Sequence, residues 1–285
     1  MGWEESCVDG GGALSVNVNT MVSNNEKKVL AIFGAGGRTG RQLLKLALKN
    51  DPSFTEIRIL VRNRNKIEAI LKELHCSDYI SKLKIIEGSI EDEAKVQDTI
   101  SGADYIVSML AAAASGNSFE YPKDFMLNFV KCLVKCIRQW PDVTTKRVVV
   151  VYQAGSMSCD GAGFLHPMSF LSKNTVGRKL GILPKIADND AAIQYLAAEA
   201  RREGEDEYYS FIVTRAGNLF DDNKKEDDEQ QQSQESKRTS DKPVYASHSW
   251  PPFPWTYISY QELALITLDT MKDESMYDSC PFIRR

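Results

Sequence analysis

Apolar residues along the chain come in short solid runs that alternate with stretches of mixed, helix-like spacing. The run Val29-Leu30-Ala31-Ile32-Phe33 predicts a buried strand over 29–33, followed by a helix over 40–49. A strand over 57–61 and a helix over 66–74 come next, then a short strand over 84–87 and an amphipathic helix over 91–100. A fourth strand over 105–110 runs into a series of alanines. Behind Pro122, a residue suited to a first helical turn, Phe125, Phe129, Leu133 and Ile137 recur at helical spacing. Residues 147–152 are almost purely β-branched, as in a strand covered on both faces. A helix over 188–202, a strand over 210–214, a helix over 260–272 and a short terminal strand complete the pattern. Such alternation, with right-handed crossovers, predicts an α/β fold: a doubly wound parallel sheet of Rossmann type in a single domain, binding ligand at the carboxyl ends of its strands.

Two stretches fall outside the alternation. Residues 1–27, rich in Gly, Asn and Ser, read as a disordered leader without the features of a signal or transit peptide. Within the domain over 28–285, residues 221–242 contain no apolar side chain and read as a charged, solvated insertion. The 285 residues, 42% of them hydrophobic, suffice for one sizeable core. No apolar run approaches the roughly 18 residues of a membrane span. The formal net charge of −4 gives no general attraction to nucleic acid or to an anionic membrane. The expected partner is therefore a small-molecule acceptor, with the charged insertion as the surface left for a protein. Six cysteines show no Cys-x-x-Cys pair, and the three histidines form no constellation, so no metal site is expected. Reduced thiols, Cys132 and Cys136 among them as core-facing residues, point to a cytoplasmic protein.

The chemistry begins at the end of the first strand. Gly34-Ala35-Gly36-Gly37-Arg38-Thr39-Gly40 turns from strand to helix, and Gly34, Gly36 or Gly37, and Gly40 permit a tight turn with bare N–H groups facing a pyrophosphate. The helix behind it adds partial positive charge. The second strand runs into Arg62-Asn63-Arg64-Asn65-Lys66 without an acid. A carboxylate there holds the ribose 2′-hydroxyl of NAD, whereas guanidinium groups bind the 2′-phosphate of NADP. Arg62 and Arg64 thus select NADP(H), unless the stretch is only a solvated strand cap. Arg38 reaches the same phosphate or stacks on the adenine.

Four segments carry a resemblance to a known family. They are Gly34–Gly40 with Leu60-Val61-Arg62-Asn63; Glu87-Gly88-Ser89-Ile90 with Gly102-Ala103-Asp104-Tyr105-Ile106-Val107; Ile212-Val213-Thr214-Arg215-Ala216-Gly217; and Ile258-Ser259-Tyr260-Gln261-Glu262-Leu263-Ala264. Together they resemble the atypical short-chain dehydrogenase/reductase group, in particular the NmrA-like NAD(P)H-binding proteins that include biliverdin IXβ/flavin reductases. The resemblance spans most of 28–283 and implies that Ser89, Ile90, Leu110 and Ala111, at the ends of the third and fourth strands, also line the cofactor. Ser89 stands where the family often has Asp.

The chain departs from the superfamily's usual catalytic pair. No Tyr-x-x-x-Lys occurs, and the residue four before Lys185 is Gly181, so the lysine has a counterpart and the tyrosine has none. Where the family often has Ser-Ser-x-Gly, this chain has Tyr152-Gln153-Ala154-Gly155. Tyr152 and Gln153 are expected to line the floor of the site, with Gln153 donating a hydrogen bond to an acceptor oxygen. Residues 111–118 and 157–170, with Phe164, His166 and Phe170, are expected to form its walls, and the aromatic stretch 250–255 its cover. The expected activity is NADPH-dependent reduction of a conjugated acceptor of flavin, biliverdin or quinone type. The alternative is a non-catalytic NADP(H) sensor or scaffold.

Overall fold

A computed structural model describes residues 28–110, 123–140, 147–200, 208–221, 245–247 and 257–284. The leader over 1–27, the alanine loop with Ala111, nearly all of the charged insertion and the aromatic stretch 250–255 lie outside these residues.

Strands and helices alternate through most of the chain. In order they are β1 (Lys28–Phe33), α1 (Arg38–Asn50), β2 (Phe54–Val61), α2 (Arg64–Glu73), β3 (Leu83–Glu87), α3 (Glu93–Ile100), β4 (Tyr105–Ser108), α4 (Phe125–Arg138), β5 (Val148–Gly155), α5 (Pro167–Ser172), α6 (Leu183–Ala200) and β6 (Tyr209–Ala216). The C-terminal part adds β7 (Asn218–Phe220), β8 (Tyr245–Ser247), β9 (Tyr257–Ser259), α7 (Tyr260–Thr270) and β10 (Phe282–Arg284). The main sheet has the order β3-β2-β1-β4-β5-β6-β10-β8, parallel throughout except for β8, which pairs antiparallel with β10. This is the doubly wound Rossmann sheet, and its order reverses between β1 and β4, where ligands bind in such folds. A two-stranded parallel ribbon, β7 with β9, stands apart.

Each face of the sheet buries its own core. Ala31 and Phe33 of β1, Val148, Val150 and Tyr152 of β5, and Phe211 and Val213 of β6 pack against α3, α4 and α6. Leu30 and Ile32 of β1, Val149 and Val151 of β5, and Ile212 of β6 pack against α1, α2 and α7. The period-two alternation along each strand divides these sets. Every residue of β6 is buried, Ser210, Thr214 and Arg215 included.

Polar contacts tie the elements together where packing alone would not. The N-terminus of α4 takes its capping carboxylate from another helix: buried Asp188 of α6 accepts from Met126 N at 2.8 Å and from Leu127 N at 3.1 Å. At the end of β6, Arg215 is 5% exposed and pairs with no carboxylate among the described residues. Its guanidinium donates to Cys280 O and Ser158 O and lies 3.8 Å above the Phe282 ring, so the last strand is fastened to β6 and to the loop after β5.

Observed boundaries differ from the expected ones for local reasons. The first helix starts at Arg38 because Gly37 is its N-cap residue, and the sixth starts at Leu183 with Pro184 in its first turn, where a proline is tolerated. The fourth strand ends at Ser108, two residues early, as the chain bends over the glycine turn. Helix α5, with the π-helical turn Lys173–Gly177 after it, and the three-residue strands β7, β8 and β9 were not expected.

Candidate active site

Each glycine of the turn answers to a local demand of its own. Gly34 has φ +81, and a Cβ there would lie 2.7 Å from Met109 O, so only glycine lets the end of β1 press against the chain just after β4. A Cβ on Gly40 would fall 2.1 Å from Gly34 O, so only glycine lets α1 seat on the turn. Gly37 donates to Gly34 O at 2.9 Å and caps α1 without any side-chain hydrogen bond, and the first turn of α1 has no acid. Beside Gly36 no atom of the described residues lies within 4 Å of where a Cβ would be, which leaves open space at a positive helix end. Three glycines are thus explained by the protein's own packing, and Gly36 by room for something else. Ala35 and Thr39 are buried. Arg38 is exposed, with its guanidinium 4.8 Å above the Tyr260 ring. Burial raises the Tyr260 phenol above its ordinary value, and the Arg38 charge opposes that rise.

The two arginines after β2 differ. Arg62 is exposed and makes no hydrogen bond or ion pair among the described residues. Arg64 opens α2, and its guanidinium donates to Ile85 O at 2.7 Å and stands 3.9 Å from Glu68. The structure thus commits Arg64 to holding α2 against β3 and leaves Arg62 available to a ligand. Ser89 accepts from Glu91 N at 3.3 Å, in the turn that leads into α3. Ile90 and Leu110 are half-buried against the core, and Ala111 lies outside the described residues.

At the carboxyl end of β5 one expectation needs correction. Tyr152 and Gln153 cannot share a floor, because successive side chains of a strand point to opposite faces. Tyr152 is 1% exposed in the core beneath α6, and its hydroxyl donates to Asn189 Oδ1 at 2.6 Å. Asn189 in turn donates to Lys185 O at 2.8 Å. Tyr152 is therefore a buried link to the first turns of α6. Gln153 is half-buried on the other face, in register with Thr214. Lys185 is the third residue of α6 and half-buried.

Two further hydroxyls belong to this edge. Ser108 Oγ at the end of β4 and Thr214 Oγ1 beside Gln153 are buried with no hydrogen-bond partner among the described residues. Their signal in the sequence is a polar residue closing an apolar strand, Tyr-Ile-Val-Ser and Phe-Ile-Val-Thr. Beyond β5, His166 caps α5 and accepts from Met168 N at 3.2 Å, while Phe164 and Phe170 point outward and are exposed. Burial first, and then neighbouring Asp190, push the Cys159 thiol up to about 12, so it stays protonated and is no nucleophile. Among the described residues no cluster of His, Cys, Asp and Glu could hold a metal, and no helix is long and apolar enough to cross a membrane.

An uncapped glycine turn at the β1/β4 reversal points to a dinucleotide, and a model of the NAD(P)H-binding family matches residues 34–241. The chain belongs to the NAD(P)H-binding family. Membership agrees with the resemblance to atypical, NmrA-like short-chain dehydrogenases/reductases. No curated protein matches the chain. Solved structures similar in fold include a wide-type short-chain dehydrogenase/reductase from Veillonella parvula in complex with NADP, at 14% identity, TM-score 0.55, covering 90% of this chain and 94% of that one. A putative epimerase from Bacteroides thetaiotaomicron is similar at 16% identity and TM-score 0.58, over 91% and 97% of the two chains. A Rossmann-fold NAD(P)-binding family protein from Shigella flexneri is similar at 15% identity and TM-score 0.55, over 91% and 93%. As in the rest of the NAD(P)H-binding family, the nucleotide is a nicotinamide one.

Proposed function

We propose that the protein is an NADPH-dependent reductase that delivers hydride to a conjugated acceptor of flavin, biliverdin or quinone type. The observation that carries this reading is the open space beside Gly36 at the uncapped N-terminus of α1. Backbone N–H groups of Gly36 and of the first turn of α1, 38–40, hold the pyrophosphate, and Arg62 holds the 2′-phosphate at a strand end with no carboxylate to repel it. NADPH, when bound, supplies a hydride from carbon 4 of its nicotinamide. The chain supplies proximity, and the Gln153 amide supplies a hydrogen bond to an acceptor oxygen. The acceptor takes that hydride and one proton from water. A conjugated acceptor suits this edge because Tyr152 is buried and bonded to Asn189, and Gly181 stands where a tyrosine four before Lys185 would be. Ketone reduction needs such an acid beside the carbonyl, whereas an extended π-system spreads the incoming charge.

The same buried tyrosine favours a second reading, an NADP(H) sensor whose bound cofactor is read by a partner. One experiment separates the two. NADPH oxidation is followed with FMN, biliverdin and quinones, and NADPH and NADH binding are measured by calorimetry. Turnover with any of these acceptors supports the reductase. Tight NADPH binding without turnover on all of them supports the sensor, and no uptake of either nucleotide defeats both.

A further inference from the structure

The helical segment that begins with α5 is built inside out. Ser169, Lys173 and Gly177, spaced four apart, face the body of the protein. Ser169 Oγ donates to Ser156 O at 2.7 Å, Lys173 Nζ pairs with Asp190 at 2.7 Å, and Gly177 lies against Ile186, Leu183 and Met157. The π-helical turn Lys173–Gly177 lengthens the repeat, so positions four apart stay on one side instead of drifting round the axis. The other sides carry Met168, Phe170, Leu171, Val176 and Leu180, which are between 37% and 60% exposed. An ordinary surface helix turns such residues inward. Six of the eight exposed large apolar side chains among the described residues, Phe164 included, fall within 164–180, so the exposure is concentrated and not scattered.

Two observations say what covers this surface. Its polar side chains are turned back on their own helix: Asn174 Nδ2 donates to Phe170 O at 2.9 Å, and Thr175 Oγ1 to Leu171 O at 2.7 Å. Such a surface enters a medium that offers no hydrogen bonds at little desolvation cost. Its charge is of one sign. No Asp or Glu occurs from 161 to 187, and the side chains of Arg178 and Lys179 are exposed without hydrogen-bond or ion-pair partners among the described residues. Apolar side chains flanked by cations complement a bilayer with anionic headgroups, into which a segment this short lies flat rather than crossing.

We propose that 164–180 is a docking surface for an anionic lipid bilayer. The whole-chain charge of −4 hides it, because the positive charge is local to one segment of a net-acidic molecule.

The test is co-sedimentation of the full chain with vesicles of phosphatidylcholine, alone or mixed with phosphatidylserine. The intact protein is expected to bind the mixed vesicles and to release as salt is raised. Combined Phe170→Glu and Leu171→Glu, at exposed positions that leave the melting temperature unchanged, reduce binding about tenfold or more. Combined Arg178→Glu and Lys179→Glu abolish the preference for phosphatidylserine. Failure of the intact protein to bind either vesicle overturns the proposal, as does binding that survives the Phe170/Leu171 change. A doubling of mass with concentration that this change abolishes also overturns it, assigning the surface to a second copy of the chain.

Discussion

Gly36 and Gly40 lie four residues apart in one turn, yet they answer to different demands. Alanine at Gly40 sets a methyl against Gly34 O and is expected to lower stability by about 1–3 kcal/mol, read as a fall in melting temperature. Alanine at Gly36 meets no atom of the described residues, so the melting temperature stays while NADPH affinity, measured by calorimetry, falls by about tenfold or more. Arg62 and Arg64 form a second such pair. Arg62→Ala is expected to remove most of the preference for NADPH over NADH, at about 1.5–3 kcal/mol for a charge-assisted contact. Arg64→Ala leaves the preference in place and loosens α2. The sequence placed both arginines at the right strand end, since strand and helix lengths are set by local pattern. It could not tell which guanidinium would be taken by Ile85 O, because that contact joins residues 21 apart. Tyr152 is a different case: strand alternation, legible in the sequence itself, already sets its side chain on the opposite face from that of Gln153.

At the scale of elements, the long strands and helices were legible because their apolar spacing is set by two solid cores. The terminal strand was also foreseen, from its place after the last helix. Strands β7, β8 and β9 were not, being three residues each and too short to show a period. Helix α5 was hidden by its reversed polarity, which pattern reading takes for a loop wall. The cap of α4 was invisible too, because Asp188 reaches it from 62 residues away in sequence. Asp188→Ala leaves two N–H groups of α4 without their carboxylate. The expected loss is about 1–3 kcal/mol in urea denaturation, whereas Asp188→Asn, which keeps one acceptor oxygen, loses less.

Across the whole molecule, the glycine turn and the outward-facing helix share the carboxyl edge of the sheet, since Ser169 hangs α5 from the end of β5. That edge is where the fold leaves loops free to vary while the opposite edge only supports it. The buried guanidinium of Arg215 has a different reach, joining the loop after β5, β6 and β10 at one point. Among the described residues it is held by neutral carbonyls and an aromatic ring and makes no ion pair; burial draws its pKa below the ordinary value, and the more distant Asp160 and Asp190 oppose that fall. Dissolved ions weaken attraction between opposite charges at a surface but have little purchase on dipoles sealed from water. Amide hydrogen exchange along Phe282–Arg284 should therefore proceed at the same pace in dilute buffer and in molar sodium chloride, while the exposed Lys135–Glu93 contact between α4 and α3 loosens. The closing strand of this sheet is clasped by a charge that behaves, toward its solvent, as though it had none.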